Sequence, residues 1–122
     1  GPRPLSPWQE ATWRYRLTDL AEDIEDVPPR SPEARLLAGL LVPQALEALC
    51  ALNRVWGDKP KRLLARIREL DPELADMAAA FYGTSDPAVA VRIADRVLEP
   101  FGGRIHTYES DRVPIGSPSG QK

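Results

Sequence analysis

One stretch of the chain gathers the side chains best suited to binding chemistry: Leu52-Asn53-Arg54-Val55-Trp56-Gly57-Asp58-Lys59-Pro60-Lys61-Arg62. Asn53 offers an amide, Trp56 a flat indole, and Arg54, Lys59, Lys61 and Arg62 positive charge. These groups hold anions and rings; they do not by themselves make or break bonds. Lys59 and Lys61 flank Pro60 where a helix is expected to start, and cations beside the free amides of a helix N-terminus suit a phosphate. Asn53 falls at about 100° per residue on the side of Val42, Leu46 and Leu49. It is therefore expected to lie on an apolar face, where its amide needs partners. It either caps a neighbouring chain end or lines a cleft. Trp56 either plugs the end of a bundle or serves as a stacking platform. Gly57 is the natural residue for the left-handed turn that closes a helix.

Catalytic groups are sparse elsewhere. The single histidine, His106, has no second histidine with which to share a metal, and the single cysteine, Cys50, has no local partner. Zinc is not expected, and Cys50 reads as a small hydrophobe of the core. Gly102-Gly103 is a turn, lacking the longer glycine pattern and lysine of a phosphate loop. No Ser/His/Asp arrangement can be assembled. The site expected is a binding site with no catalytic residue and no metal ligand of its own.

Helices must position this stretch. Ser6-Pro7, Ser31-Pro32, Asp71-Pro72 and Asp86-Pro87 each place a capping side chain before a proline, and Asp58-Lys59-Pro60 is a looser version. The Ser or Asp oxygen accepts from first-turn amides, and proline fits the first helical position. Ser6-Pro7-Trp8-Gln9 also fits a capping box. Five starts predict an all-α bundle of about five helices over residues 6–101. Residues 1–5 read as an extension or cleavage scar, as from a piece of a longer protein, and 102–122 as an irregular, partly flexible tail. Trp13, Leu17, Leu20, Ile24 and Val27 stripe the first helix. Leu63, Leu64, Ile67 and Leu70 stripe the third; Leu74, Met77, Ala78 and Phe81 the fourth; Ala90, Ile93, Ala94, Val97, Leu98 and Phe101 the fifth. The second, 32–56, is apolar nearly all round and is expected at the buried centre. Pro43 either kinks it, with Gly39 relieving the crowding, or splits it in two. A short extended piece is expected around Arg104–Tyr108.

Charge is divided between elements. Residues 54–69 hold six bases against two acids, a local charge of +4 in a chain of net −2. Asp19, Glu22, Asp23, Glu25 and Asp26 make the end of the first helix acidic, which opposes its macrodipole. A net acidic chain argues against nucleic acid as the main partner. The longest apolar run, Leu36–Val42, is too short to span a bilayer, no signal peptide is visible, and a lone cysteine fits a reducing cytoplasm.

The segment Leu49–Leu64, with Leu52-Asn53-Arg54, Trp56, Gly57 and Lys59 at its key positions, resembles the helical C-terminal domain of bacterial nucleotidyltransferases related to the aminoglycoside nucleotidyltransferases. The flanks Tyr15–Leu20, Asp71–Leu74 and Leu98–Gly103 are similar too. The resemblance implies a substrate-binding or lid domain that forms one wall of a nucleotide and acceptor cleft. It implies that Lys59 faces a nucleoside triphosphate and that Asn53 and Trp56 line the cleft. The Gly-Ser motif and magnesium-binding carboxylates would belong to an N-terminal catalytic domain or partner subunit of the full-length parent, and no such domain is in this sequence. Pro60 and Lys61 stand where several relatives place an aromatic or Leu. The competing expectation is a free-standing interaction module, as a homodimer that sets the acidic first helix against the basic third.

Overall fold

The computed structural model describes residues 2–57 and 59–106, and it is all-α. The helices are α1 (Pro7–Asp26), α2 (Pro32–Leu52), α3 (Pro60–Leu70), α4 (Pro72–Thr84) and α5 (Pro87–Leu98), closed by the short 3-10 turn Glu99–Phe101. Every α-helix begins with proline in its first turn. Ser6 accepts from the Gln9 amide at 3.1 Å while Gln9 Oε1 accepts from the Ser6 amide at 2.9 Å, completing the capping box. Ser31, Asp71 and Asp86 cap α2, α4 and α5 through Ala34, Leu74 and Ala88 at 3.1, 3.2 and 3.0 Å. Lys59 is the N-cap of α3 and makes no side-chain capping bond.

α2 lies between α1 and α5, α4 packs on α5, and α3 packs on α4 while touching α2 only lightly. The predicted stripes meet in one core, with Leu17, Leu41, Leu46, Ile67, Leu74, Ile93 and Leu98 fully buried. α2 runs unbroken through Pro43. Pro43 leaves the Gly39 carbonyl without its helical donor, but Gly39 is exposed, so water can meet that carbonyl.

Two expectations for α2 are corrected. It ends at Leu52, four residues before Trp56. It is also not buried all round, because Leu36 and Leu40 are 67% and 48% exposed. With α1 and α5 on its flanks and α3 only at its end, one side of α2 is left uncovered. Over its most apolar window α2 has a mean hydropathy of 1.5, enough in length and composition to cross a membrane, although 44% of that window is bundle core.

Residues 102–106 form a strap along α1. Among them no strand forms, and residues 104–106 of the extended piece expected around Arg104–Tyr108 are irregular. Residues 107 and 108, and the tail expected to be flexible, lie outside the described residues. Gly102 and Gly103 both have positive φ, and the Arg14 guanidinium donates twice to the Gly103 carbonyl at 3.1 and 3.0 Å. A Cβ on Gly102 would meet Arg14 Nη2 at 3.0 Å. The Ile105 amide donates to the buried Thr18 hydroxyl at 3.0 Å, and His106 Nδ1 lies 2.9 Å from Glu22. Arg104, only 16% exposed, forks onto Asp95 at 2.8 Å and Glu25 at 2.7 Å. Part of the acidic end of α1 thus anchors the strap. Asp23, crowded by Asp19, Asp26 and Glu22, is raised above its ordinary pKa, first by desolvation and then by these like charges. In α3, Arg66 pairs with Glu69, and Arg68 with Asp76 of α4.

The arginine forks set a pH dependence. Hydrogen bonds from Arg104 hold the Glu25 carboxyl below its ordinary pKa, and those from Arg96, at 2.8 and 3.0 Å, do the same for Asp71. A lowered folded pKa gives stability that is fully present above the ordinary carboxylate range of about 3.9–4.3. It is lost as pH falls through the lowered folded values. Calorimetry should show a steep fall in Tm as pH drops below about 4. Glu25→Gln and Asp71→Asn, the latter keeping a capping side chain, should each lower the Tm at neutral pH and flatten that fall. Arg104→Ala should cost about 1–3 kcal/mol at neutral pH, because two carboxylates lose charge-assisted bonds.

Candidate functional site

The end of α2 closes by a Schellman motif. The Val55 amide donates to the Cys50 carbonyl at 2.8 Å and the Arg54 amide to Ala51 at 3.1 Å, which satisfies two orphan carbonyls. The left-handed residue is Arg54, at φ 59°, and not Gly57 as expected. Asn53 is the C-cap, and both its backbone amide (3.1 Å) and its side-chain Nδ2 (2.8 Å) donate to the Leu49 carbonyl. Asn53 is exposed, which corrects its expected place on the buried face. Its amide still makes the helical bond to Leu49, so the projected direction stands, but at this last turn no neighbouring element covers it. The Asn53 amide is spent on closing that end.

Beyond this turn the chain opens an apolar groove of about 720 Å³ between the end of α2, the start of α3, Tyr82 of α4 and the extended arm before α1. Leu46, Cys50 and Val55 contribute from the α2 side, Leu63 and Leu64 from α3, and Trp56 stands at the groove 68% exposed. Pro2, Arg3 and Leu5 form the arm's wall. Tyr82, 53% exposed, meets Phe81 edge to face at 5.2 Å. Arg3 and Glu47 are the charged lining residues. Cys50 is buried, and desolvation raises its thiol pKa, with Arg66 lowering it and Glu47 raising it. A raised pKa keeps this thiol protonated and a poor nucleophile at neutral pH.

Of the six candidates named from sequence, Trp56 alone lines the groove. Asn53, Arg54, Lys59, Lys61 and Arg62 are exposed and outside its lining. Lys59, Lys61 and Arg62 do lie together at the start of α3, directly around the groove-lining Pro60. A phosphate contact there fits the charge and the first-turn amides. Magnesium does not fit in the same way. No group of three or more His, Cys, Asp or Glu side chains among the described residues is placed to hold a metal ion, and no step through a metal is assigned to this chain.

Sequence reasoning missed Pro43, Glu47, Tyr82 and the arm as parts of one site. The signal available was surplus: α2 carries more apolar residues than two flanking helices can cover, and Leu64 adds to a stripe that Leu63 and Ile67 already complete. A direct check of the α2 terminus is Arg54→Gly. Glycine adopts φ 59° without Cβ strain, so this change should stabilise the fold by about 0.5–1 kcal/mol in denaturant unfolding. Gly57→Ala should be nearly neutral, because a Cβ there meets nothing within 4 Å and no positive φ is required.

No family model matches the chain, and no curated protein sequence and no solved structure matches it either.

Proposed function

We propose that the chain is a helical interaction module that docks another polypeptide through the groove at the end of α2 and the apolar stripe leading to it. The observation that carries this reading is the exposure of Trp56, Tyr82, Leu36 and Leu40 on and beside one apolar trough. Single exposed apolar residues are ordinary, whereas a connected patch marks an interaction site. Covering one such side chain fully gains about 1.5–3 kcal/mol, so a partner seated on several of them gains enough to offset the ordering it requires. Trp and Tyr are the usual anchors of such contacts.

A second reading has its own support. Trp56 and Gly57 line the groove, and Lys59, Lys61 and Arg62 sit at its edge on the first turn of α3. This fits a substrate-binding or lid domain of a nucleotidyltransferase, with the catalytic domain as the polypeptide that covers the groove. Lys59 would then meet the nucleotide triphosphate. In a full-length parent, Lys59→Ala should weaken nucleotide binding; unchanged affinity and turnover would remove the phosphate role.

Site-specific photo-crosslinking tests the docking itself. A photoreactive residue at position 64, in cells making the full gene, should give one discrete polypeptide adduct. The same residue at exposed position 92 should give none. Adducts of equal yield at both positions, or none at 64, would overturn the reading. Trp56→Ala should abolish the adduct while costing less than about 1 kcal/mol of stability, as expected for a side chain so exposed.

A further inference from the structure

The arm before α1 lies against the docking groove, and its sequence fixes its backbone. In Pro2-Arg3-Pro4-Leu5-Ser6-Pro7 each proline holds its own φ at about −65° and keeps the residue before it extended. Only Leu5 escapes both restraints. Ser6, at φ −68° and ψ 160°, sits in that extended basin. A polyproline II helix brings about every third residue to the same side. Burial follows that repeat: Pro2 and Leu5 are half-buried, while Arg3 and Pro4 between them are exposed. Pro2 and Leu5 line the groove with Arg3 beside them, and Pro4 does not. Among the described residues, no hydrogen bond or ion pair ties residues 2–5 to the bundle. Apolar contact alone holds the arm in place, so it can be displaced.

The facing wall suits the same kind of segment. Trp56, Tyr82, Pro43 and Pro60 present flat apolar faces to the groove. The Trp56 indole and the Tyr82 hydroxyl have no hydrogen-bond partner among the described residues. A polyproline II segment leaves its carbonyls unpaired, and these two groups can donate to them. We propose that the groove takes an extended, proline-fixed segment of a partner polypeptide. Two apolar residues of that segment turn inward with the spacing of Pro2 and Leu5, and the segment displaces the arm. The inference rests on the docking reading and names the chemistry of the partner. Aromatic-lined grooves favour such segments because their backbone is ordered before it docks.

The arm supplies the probe. A blocked peptide Pro-Arg-Pro-Leu-Ser-Pro, the sequence of residues 2–7, is titrated into the full chain carrying Leu5→Glu. That change puts a charge on the side of the arm that faces the groove, outside the core cluster. The NMR resonances of the Trp56 indole and the Tyr82 ring should move saturably. Those of Val91, in a separate hollow beside the start of α2, should stay in place. The unaltered chain should bind the peptide roughly tenfold more weakly, because a tethered arm competes at a millimolar effective concentration. A peptide with Ser in place of its first Pro and its Leu should move neither resonance. No movement at Trp56 and Tyr82, equal movement with the Ser peptide, or equal affinity in the unaltered chain would overturn the proposal. If the peptide fails while the adduct at position 64 still forms, the polyproline identity alone falls. If that adduct is missing as well, the docking reading falls with it.

Discussion

The architecture depends on α2 carrying more apolar surface than its neighbours cover. α1 and α5 cover two sides of it and carry most of the core contacts, through Leu41, Val42, Ala45, Leu46 and Ala48. A helix of 21 residues with apolar side chains around its circumference needs a third neighbour along its whole length. α3 is half as long and meets only the end of α2. The remaining side, from Leu36 to Ala51, is both a cost to the isolated chain and the feature that can recognise a partner. The groove is the place where this uncovered side meets the start of α3 and the arm before α1.

Helix starts were legible from sequence because their chemistry is local. A Ser or Asp oxygen reaches an amide two or three residues ahead, and proline fills the first turn, so four caps appear where the Ser-Pro and Asp-Pro pairs stand. Core stripes were legible for the same reason, since Leu17, Ile67, Leu74 and Ile93 follow helical periodicity. The end of α2 was not legible. Glycine is the usual residue in a left-handed closing turn, but here Arg54 takes that conformation, three residues before Gly57. That shift made Asn53 the cap of the last turn, where its side chain bonds the Leu49 carbonyl and no neighbour covers it. Nor could periodicity reveal which side of α2 stays open, because that depends on the placement of α3 and α4.

The polar network serves the same frame. Charges that looked available for a partner are partly used at home: Arg104 draws Glu25 and Asp95 together and ties residues 102–106 to α1. Asp71 ends α3, caps α4 and receives Arg96 of α5, joining three helices at one carboxylate. These bonds fix the orientation of the helices that border the groove. They also leave the outward face of α2, at Leu36 and Leu40, as an uncovered apolar surface.

The most direct test of that claim compares two tryptophans with the same exposure in the isolated chain, Trp56 at the groove and Trp8 on α1, both 68% exposed. Hydroxyl-radical footprinting of the purified chain alone and of the assembly it forms in its own cells gives the comparison. If the uncovered face of α2 and its groove are an interface, Trp56, Leu36 and Leu40 lose most of their oxidation in the assembly while Trp8 keeps its own. If Trp56 remains as readily oxidised as Trp8 in the assembly, the groove is not a docking surface and the account fails.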